Sequence, residues 1–199
     1  FTLDTRGLVT ATTNRRGRTT RYDYDSLGAL VRRVSPDGSQ VTYVWDAHRN
    51  LSQTVQISGT TRLTTTFAYD SADRLTRVTN PNGRYVQYAY DAGGRLMTTS
   101  DQSGFIVSNL YDAATGRLAA VRQNGTTLVT YTYDAAGRPV QENRANGTVT
   151  RYAWDLAGRM LSTTVSAPGG AILARFEYVY DRYGLVTQAS SLEGLTRYG

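Results

Sequence analysis

Apolar and polar residues alternate with period two along short stretches of this chain, and each stretch halts at a turn. In "SQVTYVW", Val41, Tyr43 and Trp45 fall on one side, with Thr42 and Val44 on the other. In a later copy, Tyr152 and Trp154 take the slots of Tyr43 and Trp45, while Arg151 and Ala153 face the opposite way. Such alternation predicts half-buried strands. Tyr, Thr and Val, which suit a pleated surface, are abundant, and no segment carries apolar residues at helical spacing between caps. The pattern predicts an all-β protein, with aligned aromatics stacked as a structural ladder across neighbouring strands.

The stretches repeat. An aromatic residue followed by Asp occurs at Tyr24–Asp25, Trp45–Asp46, Tyr69–Asp70, Tyr90–Asp91, Tyr111–Asp112, Tyr133–Asp134, Trp154–Asp155 and Tyr180–Asp181; Leu3–Asp4 is a ninth, degenerate copy. Successive Asp residues lie 21, 21, 24, 21, 21, 22, 21 and 26 positions apart. Spacing this regular marks a repeat architecture. In "DAGGRL" and "DLAGRM", Asp at position i with Gly at i+3 predicts a type I turn, and the Gly can take a positive φ. The turn glycines are Gly28, Gly94, Gly116, Gly137, Gly158 and Gly184, and Arg follows the turn at Arg74, Arg95, Arg117, Arg138 and Arg159.

A second glycine follows each Asp by 13 residues at Gly17, Gly38, Gly59, Gly83, Gly104, Gly125, Gly147 and Gly194; only the Asp155 copy differs, with Gly169 and Gly170. "SPDG" and "NPNG" are among the turns so marked. Each repeat therefore predicts two strands and two turns, an antiparallel meander. Insertions fall mostly after Gly59 and Gly170. Nine copies imply about 17 strands, and a twisted open sheet rarely exceeds about 10 without curling, so a curved strip or spiral wall is expected. Residues 1–199 read as a single array of these units. The chain opens without Met and inside a repeat, which predicts a piece of a longer polypeptide.

Charge changes the picture little. The formal net charge is +6, and all 22 basic residues are Arg. They are spread along the chain, often in one slot of the repeat, so no nucleic-acid surface is expected. With 0 cysteines, disulfides and thiolate chemistry are excluded. No apolar run is long enough to span a membrane.

The catalytic inventory is thin. His48, the one histidine, lies in the irregular turn "DAHRNL" and reads as solvated. Asp23 and Asp25 lie two apart and mimic a carboxylate pair, but Asp25 is the repeat's turn residue and Arg21 is near. "DYDSLG" lacks the spaced ligands and closing Glu of a calcium loop. No nucleophile elbow, phosphate loop or dinucleotide fingerprint is present. Asn50, Asn124 and Asn146 begin formal glycosylation sequons. The expectation is a non-enzyme without cofactor or metal.

"YAYDAGGRL", "YTYDAAGRP", "YAWDLAGRM" and "FAYDSADRL" together resemble the YD repeat of Rhs proteins, and the resemblance covers essentially the whole chain. It implies a β-sheet strip wound into a hollow shell, as in bacterial Rhs-type polymorphic toxins, with related shells in toxin-complex subunits and teneurins. The implied function is enclosure of a C-terminal effector until delivery, as in interbacterial competition. The implied partners are the rest of the shell, the enclosed toxin domain and a delivery device such as a secretion-system spike. The implied setting is export from a bacterium. The alternative is a surface or carbohydrate-binding adhesion module using Tyr, Trp and Arg. Several copies depart from the pattern. Arg49 and Asp73 stand where the turn Gly is usual, Thr115 displaces it to Gly116, Pro139 replaces Leu, and the copies at Asp4 and Asp181 read "GLV". These departures are expected to weaken individual turns. The Asp-Pro pair of the family's self-cleavage segment is missing, so autoproteolysis is not expected of this chain.

Overall fold

The computed structural model describes residues 1–198 and is all-β, with 19 strands and no helix among the described residues. The chain forms two compact bodies, residues 1–104 and a second that begins at Phe105. The first holds β1 (Thr2–Leu3), β2 (Val9–Thr13), β3 (Thr19–Tyr24), β4 (Leu30–Val34), β5 (Gln40–Trp45), β6 (Leu51–Ser58), β7 (Thr61–Tyr69), β8 (Leu75–Thr79), β9 (Tyr85–Tyr90) and β10 (Leu96–Asp101). The second holds β11 (Ile106–Tyr111), β12 (Leu118–Gln123), β13 (Thr126–Tyr133), β14 (Pro139–Arg144), β15 (Val149–Trp154), β16 (Met160–Ser166), β17 (Ile172–Tyr180), β18 (Val186–Ser191) and β19 (Leu195–Arg197). Within each body every strand pairs antiparallel with its neighbours in sequence, giving the expected meander. The strand number exceeds the expected 17 because short strands also precede the first Asp turn and follow the Leu192–Glu193 loop.

The two turn types differ in what they do to register. At the Asp turn, Gly28 N donates to Asp25 O at 3.1 Å and Asp25 N to Ala29 O at 2.9 Å. Gly28 takes φ +86°, a conformation that glycine adopts without a Cβ clash. Beside the Asp turns the ladder also carries a bulge: pairing slips between Asp23 and Tyr24, Val44 and Trp45, Ala68 and Tyr69, and Ala153 and Trp154. The opposite turns, at Asn14, Ser35, Asn80 and Arg144, use the same pair of backbone bonds, yet their hairpins run without slippage. Each of these repeats is therefore bulged at one edge only.

Extra residues lengthen strands rather than loops. β7 and β17 have 9 residues each, where β5, β9 and β15 have 6. Gly194 departs from the turn role its spacing implies: it is outside the left-handed region, and Ser191 N bonds to its carbonyl at 2.8 Å across the two-residue loop Leu192–Glu193. The tight loop ends before this glycine, so no positive φ is demanded of it.

Each body is a single layer. Among the described residues, the only buried apolar side chains are Val55 and Ala120, and the only buried polar ones are Thr150 and Ser166. The accessible surface is 13045 Å², against about 9,300 Å² expected for a compact monomer of this mass. No packed interior exists to dominate stability, so turn and cross-strand terms carry unusual weight. Gly158 has φ +83° and open space around its Cα, so Gly158→Ala tests the turn term alone. It should lower unfolding free energy by about 1–2 kcal/mol; an unchanged urea midpoint would show that the left-handed turn is not a constraint.

Candidate functional site: the clasp between repeats

In three copies the recurring Asp, Arg and aromatic residues converge on one structure that ties a repeat to the one after it. At Asp134, Oδ1 accepts the backbone N–H of Arg138 at 2.9 Å, and Oδ2 accepts its Nε and Nη2 at 2.7 Å. Arg138 also donates through Nη1 to the backbone carbonyl of Asp155 in the following repeat, at 2.6 Å. Its guanidinium carbon lies 5.9 Å from the Trp154 ring centre. Trp154 Nε1 then donates back to the carbonyl of Pro139 at 2.8 Å. Two repeats are thus joined by an arginine going forward and an aromatic donor coming back.

The same circuit recurs in each body. Arg74 pairs with Asp70 at 2.7 Å, reaches the Asp91 carbonyl at 3.2 Å and stacks 4.8 Å from Tyr90, whose hydroxyl donates to Leu75 O at 2.8 Å. Arg159 pairs with Asp155 at 2.6 Å, reaches the Asp181 carbonyl at 3.1 Å and stacks 4.9 Å from Tyr180, whose hydroxyl donates to Met160 O at 2.7 Å. The returning bond is also made by Tyr24 to Val9 O, Trp45 to Leu30 O, Tyr69 to Leu51 O and Tyr133 to Leu118 O. Tyr111 closes β11, and Arg95 pairs with Asp91 at 2.7 Å.

Sequence reasoning read these aromatics as a packing ladder and missed their polar tips. A signal was present: apart from Leu3, the slot before Asp holds Tyr or Trp and never Phe, and only the first two carry a donor. The backbone also explains the carboxylates' ionisation. The N–H of the residue four positions on is the largest of the influences holding Asp25, Asp70, Asp91, Asp134 and Asp155 below the ordinary carboxylate range, with Arg side chains adding to it.

Departures from the pattern are linked across repeats. Asp25 is followed at i+4 by Ala29, and its Oδ2 is taken instead by Arg49 Nη1 at 2.9 Å from the next turn. Arg49 sits at φ +70° in the glycine slot. Asp46 is followed by Asn50, whose Nδ2 lies 2.7 Å from Asp73 Oδ1, and His48 Nδ1 lies 2.9 Å from the same atom. Asp73 is the other glycine replacement, at φ +58°. His48 is therefore partnered rather than simply solvated. Asp23 pairs with Arg32 at 2.7 Å while Asp25 turns to Arg49, so the two carboxylates do not form a dyad, and Arg21 is not the ion-pair partner.

A second polar group lies in the second body, and the linear sequence gives no sign of it. Tyr131 stands opposite Glu142 in the pairing of β13 with β14. Glu142 accepts from Tyr152 Oη at 3.3 Å and from Arg144 at 2.7 Å. Partial burial first, and the Glu142 charge second, push the Tyr131 and Tyr152 hydroxyls above their ordinary pKa.

The RHS repeat family model matches residues 4–40, 24–61, 45–85, 69–105, 111–149 and 141–172. Among solved structures, the chain is similar to TcdB2-TccC3, with a TM-score of 0.61 and 17% identity, and to the Tc holotoxin pore of Photorhabdus luminescens, with 0.60 and 17%. Each match covers 94% of this chain and 12% of the other, so the chain spans about an eighth of those proteins' length. At this identity the likeness shows the fold. No curated protein sequence matches the chain.

Two measurements test the clasp. Tyr90→Phe keeps the ring and deletes its donor, and should cost about 0.5–1.5 kcal/mol in urea unfolding; an unchanged value would reduce the tyrosine to packing. Because the clasp carboxyls titrate below their ordinary value of 3.8, the stability they contribute is present above that pH and is lost as pH falls through the folded-state values. Melting temperature should therefore drop below about pH 4, and Asp134→Asn should flatten that dependence. An identical acid profile in the variant would show that Asp134 is not coupled to folding.

Proposed function

Since the chain belongs to the RHS repeat family, we propose that it is a stretch of the β-wall of an Rhs-type shell, which encloses and protects a C-terminal effector until delivery. The observation that carries this reading is a sheet one layer thick, with almost no interior, in which consecutive repeats are clasped edge to edge. Such a sheet is suited to separating two compartments rather than to packing around a core of its own. Apolar side chains open on opposite faces of β17, Phe176 at 45% and Val179 at 50% exposure, suit contact with a partner or cargo.

In this reading residues 1–199 are one continuous array within a larger shell. Its partners are the remainder of that shell and the enclosed effector, and the parent is exported from a bacterium, with a secretion-system spike as one means of delivery. The toxin context follows the Tc holotoxin named among the structural relatives. The role is structural rather than catalytic, and the repeat residues serve the wall. A carbohydrate-binding module draws less support, because many of the Tyr, Trp and Arg side chains it would use are spent on one another in the clasps.

Limited proteolysis of the full-length protein that carries this segment tests enclosure. The C-terminal domain should survive as long as the wall does and be cut only once the wall is breached. Rapid loss of that domain while the wall stays intact would end the reading.

A further inference from the structure

One clasp is opened by a single extra residue. The Asp112 turn reads "DAATGRL", one position longer than "DAAGRP" at Asp134. Gly116 N consequently reaches Asp112 O at 2.8 Å across four residues instead of three. The side chain of Thr115 takes over the carboxylate: its N–H and its hydroxyl both lie 2.7 Å from Asp112 Oδ1. Arg117, shifted to i+5, is left outside the grip that holds Arg138 and Arg159.

Arg117 is nevertheless held in place. Its guanidinium lies against Gly137, where a Cβ would come within 2.3 Å of Nη2, so only glycine admits it. It approaches the Tyr133 ring at 5.8 Å, as its counterparts approach theirs. The side chain is half-buried, yet among the described residues its guanidinium has neither an ion pair nor a hydrogen-bond acceptor. It lines a cleft of about 310 Å³ with Asp112, Thr115, Tyr131 and Tyr133. Thr115 holds the Asp112 carboxyl below its ordinary range, so that group is ionised at neutral pH.

We propose that this cleft binds an acidic side chain of a polypeptide, with Arg117 taking the carboxylate that Asp supplies in the neighbouring clasps. The guanidinium keeps its planar fork for a bidentate carboxylate, and the tyrosine ring flanks it. Asp112 places an anion beside the cation, which disfavours a simple inorganic anion. It suits a ligand that carries a carboxylate together with an N–H donor, and an acidic residue in a peptide chain carries both. The site holds whether or not the chain is part of a cage.

The test is a titration of the whole chain at low salt, following the Arg117 Nε–Hε resonance. The probes are acetyl-Gly-Glu-Gly-amide, its Gln counterpart and sodium glucuronate. The Glu peptide should move that resonance and bind about tenfold or more tightly than the Gln peptide, the scale of a charge-assisted bond. Arg117→Gln should bring the Glu peptide down to the Gln peptide's level. Deleting Thr115 should do the same, by returning Arg117 to Asp112. Equal binding of the two peptides, no binding, or binding undiminished in either variant would overturn the site. Glucuronate binding more tightly than the Glu peptide would overturn the polypeptide assignment in favour of an acidic sugar. The comparison of peptides needs no variant, so it stands even if a substitution disturbs folding.

Discussion

A sheet one layer thick has no interior, and the rest of this structure depends on that constraint. Hydrophobic burial, which dominates ordinary domains, is confined here to half-covered side chains on two open faces, with only Val55 and Ala120 buried among the apolar residues described. Strand pairing supplies continuity but leaves the open ends of hairpins weakly held. The clasp occupies that position. Isolated surface ion pairs contribute little, about 0–1 kcal/mol. The Asp134–Arg138 pair is not isolated: it is coupled to a backbone N–H, a carbonyl of the next repeat and an aromatic ring. Coupling of this kind distributes stability over nearest neighbours, as in other repeat proteins.

The irregular repeats show how the constraint is met when the motif is broken. A local reading takes the loss of the turn glycine at Arg49 and Asp73 as simple weakening, since a left-handed non-glycine costs about 1–2 kcal/mol. The structure places a compensating contact at each site. Arg49 supplies the cation that Ala29 cannot give Asp25, and Asp73 supplies the carboxylate that engages Asn50 and His48. Glycine replacement and clasp replacement are thus one exchange between neighbouring repeats. The sites look like two unrelated defects only when each turn is read alone.

Much of this architecture was legible in the sequence because it is local. Asp with Gly three positions on sets the turn, and period-two alternation sets the strands, so β5 and β15 fall on the alternating stretches that hold Val41, Tyr43 and Trp45 and, in the later copy, Tyr152 and Trp154. What stayed hidden lies between repeats. That the Arg138 side chain reaches the Asp155 carbonyl, or that Tyr131 stands opposite Glu142, depends on register across a hairpin, and register is fixed by bulges that spacing alone does not reveal. The exchange of His48 with Asp73 is illegible for the same reason: 25 residues separate partners that share a rim.

Composition also takes on a physical meaning. All the basic residues are Arg, and some of them, such as Arg15 and Arg16, sit in an exposed turn. At the clasp positions the choice is chemical. One guanidinium meets a carboxylate with two donors, reaches a carbonyl with a third and lies near a ring, whereas a lysine ammonium is a point charge without a plane. The scarcity of Phe has a matching cause. In a sheet one layer thick, no second layer supplies donors to the backbone carbonyls at the end of a hairpin. A ring that covers the neighbouring arginine and also donates to such a carbonyl satisfies two demands, which Tyr and Trp meet and Phe does not. The unusual aromatic and cationic balance is therefore what a wall without a core requires of its side chains.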